Sequence, residues 1–463
     1  MEYNREAEAV LEIGIALASE KDFDKLYDLI LAKSMEIAEC DGGFFYSLEE
    51  KQPKLEMSKI LSLDITNEQA VSTELLLSIC KDIIQRKEDI CVSEVKESPK
   101  FPVATQGEYP VNSFLAVPML DKEDEILGIL ILVNAREFTK NTQKLIRAIA
   151  KLAAISISNT RYRKELKRQM WSFTEALAAA IDARTPYNAS HTRKVAEYSG
   201  MIADYINELH EEGKETEYFT ANRREQLIMG ALLHDIGKLV VPLSVMNKAT
   251  RLGERKKDIE KRFELLLLKA RIRMLEEKKG DAWYQELEQK AKHALEVIER
   301  VNTAGSLDKQ SKEELEEVLA LEDMEGNPVF TREEKACLRI EKGTLTAKER
   351  KIMESHVVLT ENILSKVYFN KYFENSPIWA VQHHECLNGK GYPRGLKAED
   401  LSVESRIMAV ADVCDALLAT DRPYKKPVPI EEAFEEMHQM ARRGRIDEKL
   451  VGYLEHCIKY KQD

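Results

Sequence analysis

Apolar residues recur along this chain with two different periods, and the period changes mark its parts. Leu26, Leu29, Ile30, Ile37 and Ala38 fall on one helical face, which predicts a helix from 23 to 38. Gly42 and Gly43 break that spacing, and the stretch GFFYSL that begins with Gly43 reads as a strand. The runs SFLAVPML (113–120) and EILGILILVN (125–134) are β-type segments joined by the polar turn DKED. Helical spacing returns over 142–159. Helix, hairpin-rich strands and helix predict an α+β domain over 1–155, one antiparallel sheet flanked by helices.

That last helix shows no stop signal near 160. Leu152, Asn159, Leu166, Phe173 and Ala180 recur every seven residues, with Ile155, Tyr162, Gln169 and Ala176 as a companion seam. Two interleaved seams with charges between them predict a linker helix over 156–181 that pairs with a second copy as a short parallel coiled coil. The competing reading is one amphipathic helix packed on its own chain. From 182 to 463 the spacing is helical almost throughout. Within it, 250–342 is rich in charge of both signs. Ile259, Phe263, Leu266, Ala270 and Met274, then Leu287, Ala291, Leu295 and Ile298, predict two or three exposed antiparallel helices. The block reads as an insertion.

Composition narrows the function. At 463 residues the chain is too long for one ordinary domain. A hydrophobic fraction of 44% excludes global disorder. With 69 Lys and Arg against 81 Asp and Glu, the formal charge is −12, which argues against a nucleic-acid polymer as partner. The seven cysteines are scattered without a CxxC pair, as expected of reduced thiols in a cytoplasmic protein. The opening MEYNREAEAV lacks a signal-peptide pattern, and the apolar run 126–133 is too short to span a bilayer, so no membrane partner is expected.

The chemistry concentrates in the helical half. ALLHDIGKLVVP (231–242) places His234 beside Asp235, with Lys238 one helical turn beyond the His. Apolar neighbours on both sides imply burial, where a carboxylate is costly without a cation or ion partner. AVQHHECLNGKGYPRGL (380–396) adds His383 and His384, whose side chains on a helix diverge by about 100° and reach one metal cluster from a single turn. His191 opens a helix, His356 lies in KIMESHVVLT, and Asp412 lies in the apolar helix IMAVADVCDAL. A lone His is more often a core residue than a ligand. Five of nine histidines in such settings are a different matter. Imidazole with carboxylate suits iron, manganese, zinc or nickel, and the set exceeds what one tetrahedral ion can use.

These residues, in this order, resemble the HD superfamily of metal phosphohydrolases. HHECLNGKGYP is similar to the HHExxDGxGYP signature of the HD-GYP family, and TDRPYKKP (420–427) resembles the RPY-x-K segment that follows the family's last ligand. The resemblance covers about 172–245 and 343–450. It implies an all-helical catalytic bundle over 182–463 that binds two divalent metal ions, Fe or Mn, and hydrolyses cyclic di-GMP to pGpG, with the step onward to GMP left open. Another cyclic dinucleotide such as cyclic GMP-AMP, or a catalytically silent sensor, are the alternatives. By the same resemblance Asp235 bridges the ions, with His191, His234 and Asp412 on one and His356, His383 and His384 on the other. Lys238 sits beside the bridging water and phosphate, and Arg422 and Lys425 contact substrate phosphate.

The chain departs from the family pattern in three places. Asn388 replaces the usual Asp. DARTPYNAS lacks the Glu that holds a third ion in some members. His356 follows Asp235 by far more residues than in relatives, and the excess coincides with 250–342. The N-terminal part resembles a GAF domain, a family that binds small ligands or serves only to dimerise. Nothing identifies a ligand here; Cys80 and Cys91 are the candidate tethers for a chromophore. Independently of family, phosphodiester hydrolysis needs a nucleophile at neutral pH and relief of developing charge. Two metal ions sharing a water meet both needs, with Lys238 adding a cation and Arg422 a bidentate clamp. A homodimer carrying the GAF signal along the linker helix to the catalytic bundle completes the expectation.

Overall fold

The computed structural model describes residues 2–20, 22–49, 52–61, 71–98, 100–101, 109–184, 190–277, 281–419 and 428–460. The chain divides into two units, 1–170 and 171–463. Among the described residues no helix is long and apolar enough to cross a membrane.

Among the described residues of the first unit, five strands form one antiparallel sheet: β1 Cys40–Glu49, β2 Gln52–Ile60, β3 Ile90–Val92, β4 Phe114–Leu120 and β5 Ile126–Ala135, in the order β2-β1-β5-β4-β3. Side chains alternate across it. Phe45, Leu130 and Leu132 face the helices Phe23–Ala38 and Lys140–Ala183, while Phe44, Ile129, Ile131 and Val133 face the helix Thr73–Arg86. Burial on both faces explains why β5 reads as an unbroken apolar run. The β4–β5 turn is shaped by Asp121, whose Oδ1 accepts from the amides of Glu123 (2.9 Å) and Glu125 (2.8 Å).

The structure corrects one reading here. Gly42, read as a break ahead of the strand, lies inside β1, which starts at Cys40 rather than at Gly43. A Cβ on Gly43 would stand 2.7 Å from Leu31 Cδ1, so glycine there lets the Phe23–Ala38 helix approach the sheet. Cys80 is buried in the core under the Thr73–Arg86 helix, and burial pushes its thiol up to about 12; Cys91 is half-buried, with its thiol raised for the same reason and by Asp89.

The residues 156–181 belong to one uninterrupted helix, Lys140–Ala183. Thr139 caps its start by accepting from the Thr142 amide at 3.1 Å. Leu152 packs into the first unit's core, but Ile155, Tyr162, Leu166, Phe173 and Leu177 are exposed.

The second unit is helical. The helices His191–Glu211, Ala221–Leu233 and Val403–Leu418, with Ile430–Arg442 and Glu448–Tyr460, share one core. The 250–342 block has a core of its own, and among the described residues it holds four helices rather than two or three: Arg255–Glu276, Asp281–Thr303, Lys309–Leu319 and Arg332–Leu338. The added two are short and cut from charge-rich sequence by Asp308 and Thr331 N-caps, so their apolar spacing is too brief to read alone. Arg251 anchors this block. It is fully buried, and its guanidinium donates to the carbonyls of Ile340 (2.8 Å), Val301 (2.6 Å) and Ala304, the latter two at the C-terminal end of Asp281–Thr303. The partial negative charge of that helix end stabilises the cation.

Candidate metal centre

Five elements converge on one buried cluster. His191 is the first residue of His191–Glu211 and His356 the first of His356–Leu364, while Asp412 lies within Val403–Leu418. The other ligand candidates do not sit where a helical reading puts them. The helix ends at Leu233, so His234 and Asp235 lead into a 3-10 turn, Ile236–Leu239, that carries Lys238. His383 and His384 follow the short helix Ser376–Ala380 in a turn. Turns serve here because a regular helix would aim adjacent side chains apart, whereas both pairs must point the same way.

Glycine makes the first turn possible. A Cβ on Gly237 would lie 1.9 Å from the His356 carbonyl oxygen. Thr360 Oγ1 accepts from the Gly237 amide (2.9 Å) and donates to the His234 carbonyl (3.0 Å), which clamps the turn onto His356–Leu364. The second turn is held by Glu385, which is buried and accepts from the amides of Arg394 (2.7 Å) and Leu396 (2.9 Å). Asn388 donates to the Arg443 carbonyl at 2.8 Å, a bond that an Asp carboxylate could not make.

Every deeply buried imidazole is anchored through Nδ1. His234 contacts the Ala231 carbonyl (2.6 Å), His356 that of Met353 (2.7 Å), His383 that of Ala380 (2.6 Å) and His191 the Asp415 carboxylate (2.6 Å). A carbonyl can only accept, so Nδ1 carries the proton and Nε2 keeps its lone pair. Those Nε2 atoms point inward. His191 Nε2 lies 3.3 Å from both Asp235 Oδ2 and Asp412 Oδ1, His234 Nε2 3.2 Å from Asp235 Oδ2, and His356 Nε2 3.3 Å from Asp235 Oδ1. Asp235 thus turns one oxygen to His191 and His234 and the other to His356. His384 Nδ1 is 3.7 Å from Asp412 Oδ2. Lys238 Nζ pairs with Asp235 Oδ2.

The cluster leaves acceptors open. Nε2 of His234, His356 and His383 and Oδ1 of Asp235 are buried with no hydrogen-bond partner. Leaving such groups unpaired is costly, and a divalent cation satisfies lone pairs that no donor reaches. Two sets of three donors each lie within 4.8 Å of one another: His191, His234 and Asp235, and His356, His383 and His384. Neutral imidazole nitrogens and carboxylate oxygens are the donor set of a divalent transition metal, and both sets can hold one.

The electrostatics agree. Burial opposes ionisation of Asp235 and Asp412, but His234 and Lys238 at the first and His191 and His384 at the second outweigh it and hold both carboxyls well below the usual range. Burial lowers His356 and His383 and pushes His384 down to about 4, keeping them neutral. Burial also works against charge on His191, yet Asp235, Asp412 and Asp415 raise it well above its ordinary value. Protonated His191 is the positive charge these carboxylates favour without metal, and a cation competes with that proton.

Sequence reasoning missed Asp415, whose signal was its i,i+3 spacing from Asp412 on an apolar helix. It also missed Tyr392, whose ring lies 4.8 Å from that of His384 and whose phenol is held protonated by burial and the nearby Asp412. Thr360 carried no sequence signal at all, since its role depends on a turn 123 residues away. Arg422 and Lys425 lie outside the described residues.

A GAF domain model matches residues 20–158, and HD domain models match 188–323 and 333–450. A cyclic di-GMP phosphodiesterase of Thermotoga maritima is 39% identical over 118 residues, 24% of this chain and 30% of that protein. The cyclic di-GMP phosphodiesterase response regulator RpfG of Xanthomonas campestris is 39% identical over 104 residues, 22% of this chain and 26% of its own length. A 3'3'-cGAMP-specific phosphodiesterase 3 of Vibrio cholerae is 38% identical over 97 residues, 21% and 20% respectively. The chain thus spans less than a third of the length of each of these relatives.

Proposed function

We propose that this chain, which belongs to the HD-GYP family and carries a GAF domain ahead of its helical unit, is a metal-dependent cyclic dinucleotide phosphodiesterase that opens cyclic di-GMP to pGpG and then GMP. The observation that carries the reading is the set of buried, partnerless lone pairs on His234, His356, His383 and Asp235, aimed at common points. In this reading His191, His234 and Asp412 would hold one ion and His356, His383 and His384 the other, with Asp235 serving both sets. The ions, Fe or Mn, would supply Lewis acidity and a water of lowered pKa.

The chain's own residues do the rest. Lys238, bound to Asp235 and partly exposed, neutralises charge developing on a phosphoryl oxygen. The Nδ1 anchors fix each imidazole so that no reorganisation accompanies the reaction. Tyr392, kept as a phenol, offers a donor to substrate beside His384. Arg422 and Lys425 would grip the second phosphate. A second copy pairs along Ile155, Asn159, Tyr162, Leu166, Gln169 and Phe173, all exposed on one helix with alternating steps of four and three. A ligand in the GAF unit would act through that helix.

Cyclic GMP-AMP is the second substrate reading, because cGAMP-specific enzymes are 38% to 42% identical to this chain over the matched segments. The test is turnover of both nucleotides by anaerobically purified, metal-quantified full chain, with products separated chromatographically. Asp235→Ala is expected to lose bound metal and at least about 10³-fold in turnover. Undiminished turnover by that variant would overturn the proposal; a higher specificity for cyclic GMP-AMP would move the substrate assignment and leave the centre in place.

A further inference from the structure

The helix Arg255–Glu276 is apolar on two faces. Ile259, Phe263, Leu266 and Ala270 are buried in the core of the 250–342 block. Leu265, Leu268, Ile272 and Leu275 point the other way and are 53%, 60%, 55% and 69% exposed. Four large aliphatic side chains in eleven residues of an otherwise highly charged block form an apolar stripe of the kind that marks an interaction site.

The stripe has a definite register. Its steps of three, four and three fit only one heptad assignment, with Leu265 and Ile272 at a and Leu268 and Leu275 at d. The flanking positions are then Glu264 and Arg271 at g, and Lys269 and Glu276 at e. We propose that this stripe is a docking surface for the same stripe of a second copy, paired in parallel. In parallel register g meets the e position five residues on in the partner helix, so Glu264 faces Lys269 and Arg271 faces Glu276, each pair occurring twice by symmetry. All four pairs are attractive. In the antiparallel register Lys269 would face its own copy and Arg271 its own copy, both repulsive. A β-branched Ile at a with Leu at d also favours two parallel strands.

The stripe is only roughly 16 Å long, too short to hold together two free peptides. It need not do so, because the opposite face already folds this helix and the ordering cost falls on intramolecular packing. Lys269 also lies 3.4 Å from Glu325 of its own chain, a contact between exposed groups that yields readily to a partner. This surface lies within the insertion and is distinct from the seam on Lys140–Ala183, so its test is independent of that one and of the metal centre.

The test is crosslinking in the full chain. Leu268→Cys and Ile272→Cys each place a thiol against its own copy only in the parallel register. The native cysteines are buried or half-buried and supply the background. Mild oxidation is expected to yield disulfide-linked dimer from each single variant, roughly tenfold above wild type, and Glu264→Lys in the same background is expected to suppress it, with Lys269→Glu added restoring it. Failure of both single variants to crosslink overturns the proposal. So does dimer formed only when the two variants are mixed, which marks an antiparallel pair, and so does crosslinking that charge reversal leaves unchanged.

Discussion

The metal centre and the insertion bury ionisable side chains within the same helical unit, but they complete them in opposite ways. In the insertion, Arg251 reaches three carbonyls, and Lys248 pairs with both oxygens of Glu349 at 2.8 and 2.9 Å. Both cations find partners within the chain, with Nη2 of Arg251 alone left without one, and the result is a joint: Lys248 and Glu349 lie on the two strands of chain that enter and leave the block. In the centre, imidazoles and carboxylates are equally buried and anchored on one side only, and the other side is left open toward shared points. Buried charge therefore does not by itself mark a functional site. What marks one is a set of donors fixed in direction whose last valence the chain does not fill.

The comparison breaks first if the centre tolerates crowding. Gly237→Ala forces a Cβ into the His356 carbonyl, and backbone on both sides cannot yield; a loss of about 3 kcal/mol in denaturant unfolding is expected, together with loss of bound metal. Arg251→Met leaves three buried carbonyls without a donor and is expected to cost about 3 kcal/mol, read as protease sensitivity within 250–342. Its metal content should stay at the wild-type level, and a parallel loss of metal would show that the two regions are not separable.

A finer cut is Asp415→Asn, which keeps the volume but removes the negative charge that favours the proton on His191 Nδ1. Metal affinity is expected to fall about 10-fold to 100-fold, read by competition with a chelator. The smallest effect concerns a completed pair on the surface of the bundle. Burial opposes charge on His438, but Glu455 and Glu448 outweigh it and raise its pKa. The folded state then holds the proton more tightly than the unfolded one, so this contribution is full below the ordinary value and fades as pH rises through the raised one. His438→Gln should lower the melting temperature at pH 6 by an amount worth no more than about 1 kcal/mol, with the difference shrinking by pH 8.

Local order explains which parts were legible in the chain. The five histidines and two aspartates stood out because most sit among apolar residues, where an unpaired polar group is unfavourable, and His191 because it opens a helix after a loop. The β4–β5 hairpin stood out because both strands are buried on both faces. The helical reading of His234-Asp235 and His383-His384 failed because apolar neighbours surround a buried turn as readily as a buried helix. The four-helix core of the insertion escaped for a related reason: its charged surface dilutes the apolar spacing of short helices.

By itself the sequence determined the inventory: which side chains would be buried, which of them could donate to a metal, and where one period gave way to another. Only the tertiary structure decided direction. The carbonyls that orient His234, His356 and His383 lie three residues before each, but Asp415 orients His191 across 224 residues of chain and Thr360 clamps the His234 turn across more than a hundred. Hydrogen bonds depend on angles and ångströms that spacing along a polymer does not encode. The convergence of the lone pairs, and with it the chemistry, is a property of the packed helices.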